Sequence, residues 1–195
     1  MKNNHLKDRF LSVCKSKIHR QGIDSILRWL EDTDFYTAPA STRFHGNYEH
    51  GLVEHSLHVY DALIQLIALH PTYKISDESI AIVALFHDLC KANFYMESTR
   101  NVKDESTGTW HKEPFYKIDD RLPLGHGEKS VIILLKHMAL TDDEIYAIRW
   151  HMSGFDCAVK GGDFGCSKAY EICPLAVLLH MADMTASYFM EDRIG

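Results

Sequence analysis

Residues 80–86 read Ile-Ala-Ile-Val-Ala-Leu-Phe, and His87-Asp88 follow at once. A helix that is apolar all round sits in the core of a protein, so the histidine and aspartate at its end are carried inside with it. A buried aspartate or histidine without a partner is costly. The rest of the chain must therefore bring polar groups, or a cation, to this one place. That demand constrains the fold more than any other feature of the sequence.

The chain has the means to meet it. It carries 13 histidines in 195 residues, and histidine is the commonest metal ligand and a frequent acid–base group. Four further positions repeat the pattern of a polar group set in apolar surroundings: His55 in GLVEHSLHV, His126 in LGHGEKS, His151 in IRWHMSG and Asp183 in LLHMADM. All but His126 fall within or at the end of a helix with an apolar face. Four imidazoles and two carboxylates make a mixed nitrogen and oxygen donor set. Such a set suits Fe, Mn, Co, Ni or Zn better than Mg or Ca, which favour oxygen alone. One ion needs about four protein ligands, and His55, His87, Asp88 and Asp183 suffice for it. His126 and His151 then either hold a second ion or contact substrate. With two ions, Asp88 is the natural bridging ligand.

Apolar spacing outlines the elements around these positions. Leu6, Phe10, Val13, Cys14 and Ile18 predict one helix, and Ile23, Ile26, Leu27 and Leu30 a second. Residues 33–50 read as a loop. A long helix is expected from Gly51 to His70, where Pro71 stops it. Ser76 is placed to cap the helix that carries IAIVALFHDLCK, in which Lys91 falls one turn after His87 on the same face. Residues 93–124 break the helical pattern, with a turn cluster at Glu105–Gly108 between Tyr-, Val-, Trp- and Phe-bearing stretches, and predict a β-hairpin or irregular insertion. A helix over Gly127–Leu140 follows. A capping box at Thr141–Glu144 opens the next, which runs to about Gly154. Residues 155–170 read as a loop, and Pro174 suits the first turn of a final helix. The expectation is an all-α single domain: a helical extension over residues 1–42, a helical core over 43–190, and the insertion at 93–124.

Composition narrows the function classes. Apolar residues make up 46% and charged residues 25%, ordinary for a globular chain and against disorder. The net charge of −6 argues against a protein that grips duplex nucleic acid, while leaving room for a small phosphorylated substrate in a locally basic pocket. None of the five cysteines forms a C-x-x-C pair, so no zinc knuckle or redox pair is indicated and a reducing, cytoplasmic setting is expected. There is no signal peptide pattern and no apolar run long enough to cross a membrane. The phosphate-binding motif G-x-x-x-x-G-K-[ST] is missing, which argues against an ordinary kinase or NTPase.

The order His…His-Asp…His…His…Asp resembles the HD-domain metallohydrolase superfamily. The stretch HGNYEHGLVEHSLHV at residues 45–59 is similar to the opening of HD domains in certain bacterial 3′→5′ exoribonucleases and small phage-encoded HD hydrolases. The six ligands resemble those of dinuclear HD-GYP phosphodiesterases, without the GYP motif. The resemblance spans Arg43 to Met190 and departs from the pattern at three places. His50 stands where glycine is common, Cys90 replaces the glycine of H-D-x-G-K, and the insertion at 93–124 is additional. It implies an HD-type helical bundle holding one or two divalent transition-metal ions through His55, His87, Asp88, His126, His151 and Asp183. It also implies hydrolysis of a nucleotide or other small phosphoester by a metal-activated water, with Asp88 and Lys91 as catalytic residues. Lys91 matches the lysine of the pattern and, with Lys129, Arg43 and His45, is expected to bind substrate phosphate. Two alternatives accompany this reading: a di-iron oxygenase of the same superfamily, and a non-catalytic regulator that binds metal or nucleotide.

Beyond the ligands, His58 and His180 each lie three residues from one and are placed to support it from behind. Arg100, Lys103 and Lys117 read as a solvated charged loop. Tyr48, Phe94, Tyr95, Trp110, Phe115 and Tyr116 are either packing or a stacking surface for a base.

Overall fold

The computed structural model describes residues 2–42 and 46–191. At its centre is α4 (Asp77–Phe86), in which every side chain from Ile80 to Phe86 is buried. The elements before it are α1 (Lys2–Lys17), α2 (Ile23–Glu31) and α3 (Gly51–Ala68); after it come α5 (His126–Leu135), α6 (Asp142–Trp150), α7 (Cys157–Lys160), α8 (Gly165–Ile172) and α9 (Pro174–Thr185). Helix α3 packs against α4 on one side and α9 on the other, α6 packs against α9 and α5, and α1 covers α3 and α4. Phe10 of α1 is fully buried and meets Phe86 at 5.8 Å and Phe35 at 5.3 Å between ring centroids. These apolar contacts weld the N-terminal helices to the core.

Local signals mark the helix starts. The Ser76 hydroxyl accepts from the Ser79 amide at 3.0 Å, and Asp77 and Glu78 occupy the first turn of α4, where the helix dipole favours negative charge. Thr141 and Glu144 complete a reciprocal capping box on α6. Pro174 stands in the first turn of α9. Glu144 is fully buried and takes both arms of the Arg20 guanidinium, at 2.5 and 2.9 Å. That fork ties the segment after α1 to the start of α6.

The insertion is a two-stranded antiparallel hairpin. Strand β1 (Tyr95–Lys103) pairs with β2 (Trp110–Ile118) from Tyr95↔Ile118 to Lys103↔Trp110. The Asp104 carboxylate turns the chain by accepting from the amides of Ser106 and Thr107, at 2.8 and 3.2 Å. Most of the hairpin's side chains are exposed or half-buried, so it projects as an arm from its base. The described residues are thus mostly helical with one small sheet. No single helix among them is long and apolar enough to cross a membrane.

Three stretches differ from expectation. Residues 155–170, expected as a loop, hold α7 and most of α8. Asp156 caps α7 by accepting from Ala158 N at 2.8 Å, and Cys166 and Ala169 bury small faces of α8, a signal too short for periodicity to reveal. Helix α5 ends at Leu135 rather than Leu140, and its last turn tightens as His137 N bonds Leu134 O. Helix α4 ends at Phe86, with His87 as its cap, and Leu89–Lys91 form a separate 3₁₀ turn. Lys91 therefore reaches the site by that turn and not along a continuous α-helical face.

Candidate metal centre

The six sequence-identified ligands converge. His55, His87 and Asp88 each offer a donor atom within 4.8 Å of the others, as do His87, His151 and Asp183, and as do Asp88, His126 and His151. The four imidazoles stand in a row, His55 to His87 to His151 to His126, with ring centroids 5.3, 4.9 and 5.2 Å apart.

Two of them are delivered by the same local device. His87 caps α4 and His151 caps α6. The Nδ1–H of His87 donates to the Ala84 carbonyl at 2.8 Å, and that of His151 to the Ile148 carbonyl at 2.7 Å, each three residues back. A carbonyl only accepts, so both rings carry their proton on Nδ1 and turn the Nε2 lone pair into the cluster. Both side chains are essentially fully buried, and burial lowers the His87 pKa to about 3. His87 is thus neutral, with a lone pair free to hold a metal ion.

The others come from α3, α5 and α9. Position 50, just before α3, has φ 71°, the left-handed region that glycine occupies without strain. His50 holds it by donating Nδ1–H to Tyr36 O at 2.6 Å, which accounts for a histidine at a glycine-like position. Gly51 then lies so close to Gly46 that a Cβ would sit 2.1 Å from its carbonyl oxygen. Gly127 makes the corresponding close approach of α5 to α6, where a Cβ would meet Arg149 O at 2.1 Å.

Asp88, 2% exposed, divides its oxygens. Oδ1 lies 2.7 Å from His126 Nε2 and 3.6 Å from His151 Nε2. Oδ2 lies 3.5 Å from His87 Nε2, 3.6 Å from His55 Nε2 and 2.7 Å from Lys91 Nζ. Asp183 Oδ1 is 3.3 Å from His55 Nε2 and accepts from the Ser187 hydroxyl at 3.3 Å.

Electrostatics favours a cation here. Among the described residues, the carboxylates of Asp88, Asp183 and Glu191 surround the cluster and Lys91 is the one ammonium facing them. Burial works against charge on His55, yet Asp183 and Glu191 outweigh it and push its pKa up to about 10. Burial likewise opposes charge on His126, and Cys90 and Asp88 push it up to about 10. Burial also disfavours the ionised carboxylates, but Lys91 and the hydrogen bond from His126 hold Asp88, and His55 holds Asp183, well below the usual range. Without a metal, protons on imidazoles balance the carboxylates. The buried Nε2 of His151 meanwhile has no hydrogen-bond partner among the described residues, and the Nε2 atoms of His55 and His87 lie 3.3 Å apart. An orphaned nitrogen beside ionised carboxylates is what a divalent cation would satisfy, displacing the proton from His55 Nε2. The donor set fits a transition metal, and the buried cluster can hold a metal ion.

The cluster opens on a cavity of about 360 Å³, within the range of small-molecule sites. Asp88, Lys91, His126, His151 and Asp183 line one side; Tyr95, Ile118, Met152, Phe155, Met184 and Tyr188 line much of the rest. Lys91 thus reaches both Asp88 and the open space. Burial opposes its charge, but Asp88 raises its pKa above the usual lysine range.

Other candidates fall elsewhere. The Lys129 ammonium is bound to Asp120 at 2.5 Å and lies 4.8 Å above the Phe94 ring, off the cavity wall. Arg43 and His45 lie outside the described residues. His180 lines the cavity and donates Nδ1–H to His151 O at 2.7 Å, and His58 Nδ1 stands 3.4 Å from Glu191. Glu191 escaped the sequence reading. Its Oε1 accepts from His55 Nδ1 at 2.8 Å across 136 residues of chain, and no local motif announces it. Comparison with known protein families, with curated proteins and with solved structures finds no match.

Proposed function

We propose that the chain is an HD-type metal-dependent phosphohydrolase acting on a nucleotide or other small phosphoester. The observation that carries this reading is the division of Asp88, one oxygen toward His126 and His151 and the other toward His55 and His87. Two cations, if bound, would share such a carboxylate, with Asp183 completing the donors beside His55 and His87. Bound there, divalent ions lower the pKa of water and draw charge from phosphoryl oxygens.

The chain's own residues supply the rest. Lys91, cationic at every working pH, binds an anionic phosphate oxygen presented through the cavity. Asp183 is ionised, and its carboxylate accepts a hydrogen bond from the attacking water and orients it. Asp88 holds Lys91 in place through Oδ2. The apolar wall of Met152, Phe155 and Met184 limits bulk water around the reacting group.

Elemental analysis of protein purified without chelator, followed by a screen of nucleotides and phosphoesters for phosphate release, tests the proposal. Close to two transition-metal ions per chain and turnover abolished by Asp88→Ala are expected. Iron with oxygen uptake and no phosphate release would replace the hydrolase with the di-iron oxygenase reading. Bound metal with neither activity would favour a regulator.

A further inference from the structure

His126 opens α5 with a glycine on each side of it. A Cβ on Gly127 would sit 2.1 Å from the Arg149 carbonyl oxygen, and one on Gly125 would sit 2.0 Å from Glu128 Oε2. The start of α5 thus lies directly on the last turn of α6, two residues before His151. The Glu128 carboxylate is folded back over the residue that precedes His126. A side chain at position 127 would push the two helices apart, and one at position 125 would push that carboxylate out of place.

The Arg149 side chain closes this arrangement. Its guanidinium donates to Asp156 Oδ2 at 3.0 Å, pairs with Glu128 Oε1, and lies 3.7 Å from the centre of the Trp150 ring. Asp156 is buried and also caps α7. A planar fork held by two carboxylates over an aromatic face has little freedom to turn. Glu128, Arg149 and Asp156 all lie off the cavity wall, so substrate contact does not account for them. His126 also needs outside support more than the other imidazoles do. His87 and His151 rest Nδ1 on backbone carbonyls, and His55 rests it on the Glu191 carboxylate. Behind His126, among the described residues, Nδ1 meets the Cys90 thiol at 3.3 Å, a weak partner.

We infer that Arg149 is a positioning residue for the half of the metal centre built on His126 and His151. Its carbonyl and its guanidinium hold the segment 125–128 at two points, one on each side of His126. That grip presents His126 Nε2 to Asp88 Oδ1 at 2.7 Å and sets its ring beside that of His151, 5.2 Å between centroids. The other half is held by different partners: Glu191 behind His55, Ala84 O behind His87, and Ser187 on Asp183. Loss of the Arg149 fork therefore acts on one ion and spares the other. The inference rests on the reading in which two ions share Asp88.

The test titrates cobalt(II) into metal-free parent protein, Arg149→Met and Glu128→Gln, followed by visible absorption. Methionine keeps an apolar stem over Trp150 and removes the fork. In Arg149→Met the second ion is expected to bind about 10–100-fold more weakly and the first as in the parent; Glu128→Gln, which keeps a neutral acceptor for Arg149, falls in between. Arg20→Ala, which acts at the first turns of α4 and α6, leaves both affinities as they are and separates positioning from stability. In parallel, long-range 1H–15N imidazole spectra of the metal-free proteins read the rings themselves. The His126 and His151 signals are expected to move in Arg149→Met while those of His55 and His87 stay. Imidazole signals that all stay in place, or equal weakening of both ions, overturn the role of Arg149. A parent protein that takes one ion only, with the His126 signals still moved in Arg149→Met, keeps the positioning role and overturns the two-ion reading.

Discussion

His55 and Glu191 are joined by a 2.8 Å hydrogen bond, and both side chains are essentially closed to solvent. The Glu191 carboxylate accepts from Nδ1–H, which leaves His55 Nε2 to face Asp183 at 3.3 Å. A carboxylate behind a ligating imidazole fixes the ring and raises its basicity. Glu191→Ala is therefore expected to weaken metal binding by about 10–100-fold, with Glu191→Gln in between because an amide oxygen still accepts. Competition against a chromogenic chelator measures it. Equal affinity in all three proteins would remove Glu191 from the metal centre.

Metal loading should respond to the two halves of the cluster separately. His126→Ala and His151→Ala are each expected to reduce bound transition metal from about two ions toward one. One ion in the parent protein, unchanged in both variants, would reassign those histidines to substrate. Loading should also release protons at neutral pH. His55 and His126 have pKa values pushed up to about 10, so both are protonated until a metal displaces the proton. A pH-stat titration with metal reads the release directly, and none at pH 7 would contradict the assignment.

Lys91 has the clearest catalytic consequence. Lys91→Ala removes the one ammonium that faces both Asp88 and the cavity among the described residues. Loss of one such electrostatic contact typically costs about 10²–10³ in kcat. A fall of that size in phosphoester turnover, with metal content retained, is expected; turnover within a few-fold of the parent would exclude a role in phosphate binding.

Stability is concentrated at Arg20, whose guanidinium bonds Glu144, Glu78 and the Ala139 carbonyl. Arg20→Ala strands a fully buried carboxylate and should cost about 3–5 kcal/mol in urea unfolding, far more than the loss of an exposed ion pair such as Lys17 with Asp77.

Glu78, from the same network, sets a pH dependence. Its burial opposes ionisation, but the amides of His19 and Arg20 and the Arg20 guanidinium outweigh that and lower its pKa from 4.5. A lowered acid contributes stability that is present above its unfolded pKa and lost as pH falls through its folded one. Melting temperature should therefore drop less below pH 4.5 in Glu78→Gln than in the parent. Parallel curves would rule this contribution out.

Much of this protein was legible in the sequence because its signals are local. Ser76, Thr141–Glu144 and Pro174 announce helix starts through contacts made within one turn. The turn cluster Glu105–Gly108 announces the hairpin for the same reason, its amides at Ser106 and Thr107 donating to Asp104. The clustering of the six His and Asp positions was legible too, since a histidine or aspartate carried inside by an apolar helix must be satisfied somewhere, and several such residues point to one place. The short helices at 157–172 were not, because their burial falls on small residues with no repeat long enough to register.

The tertiary structure alone decided how those residues meet. Composition and spacing do not reveal that Asp88 splits its oxygens between two pairs of imidazoles, that Lys129 is drawn away to Asp120, or that Glu191 closes on His55 from the far end of the chain. Burial preferences act on each residue through its own apolarity and can be read one position at a time. Distances between side chains on α3, α4, α5, α6 and α9 depend on how five helices pack together, and no single segment carries that information.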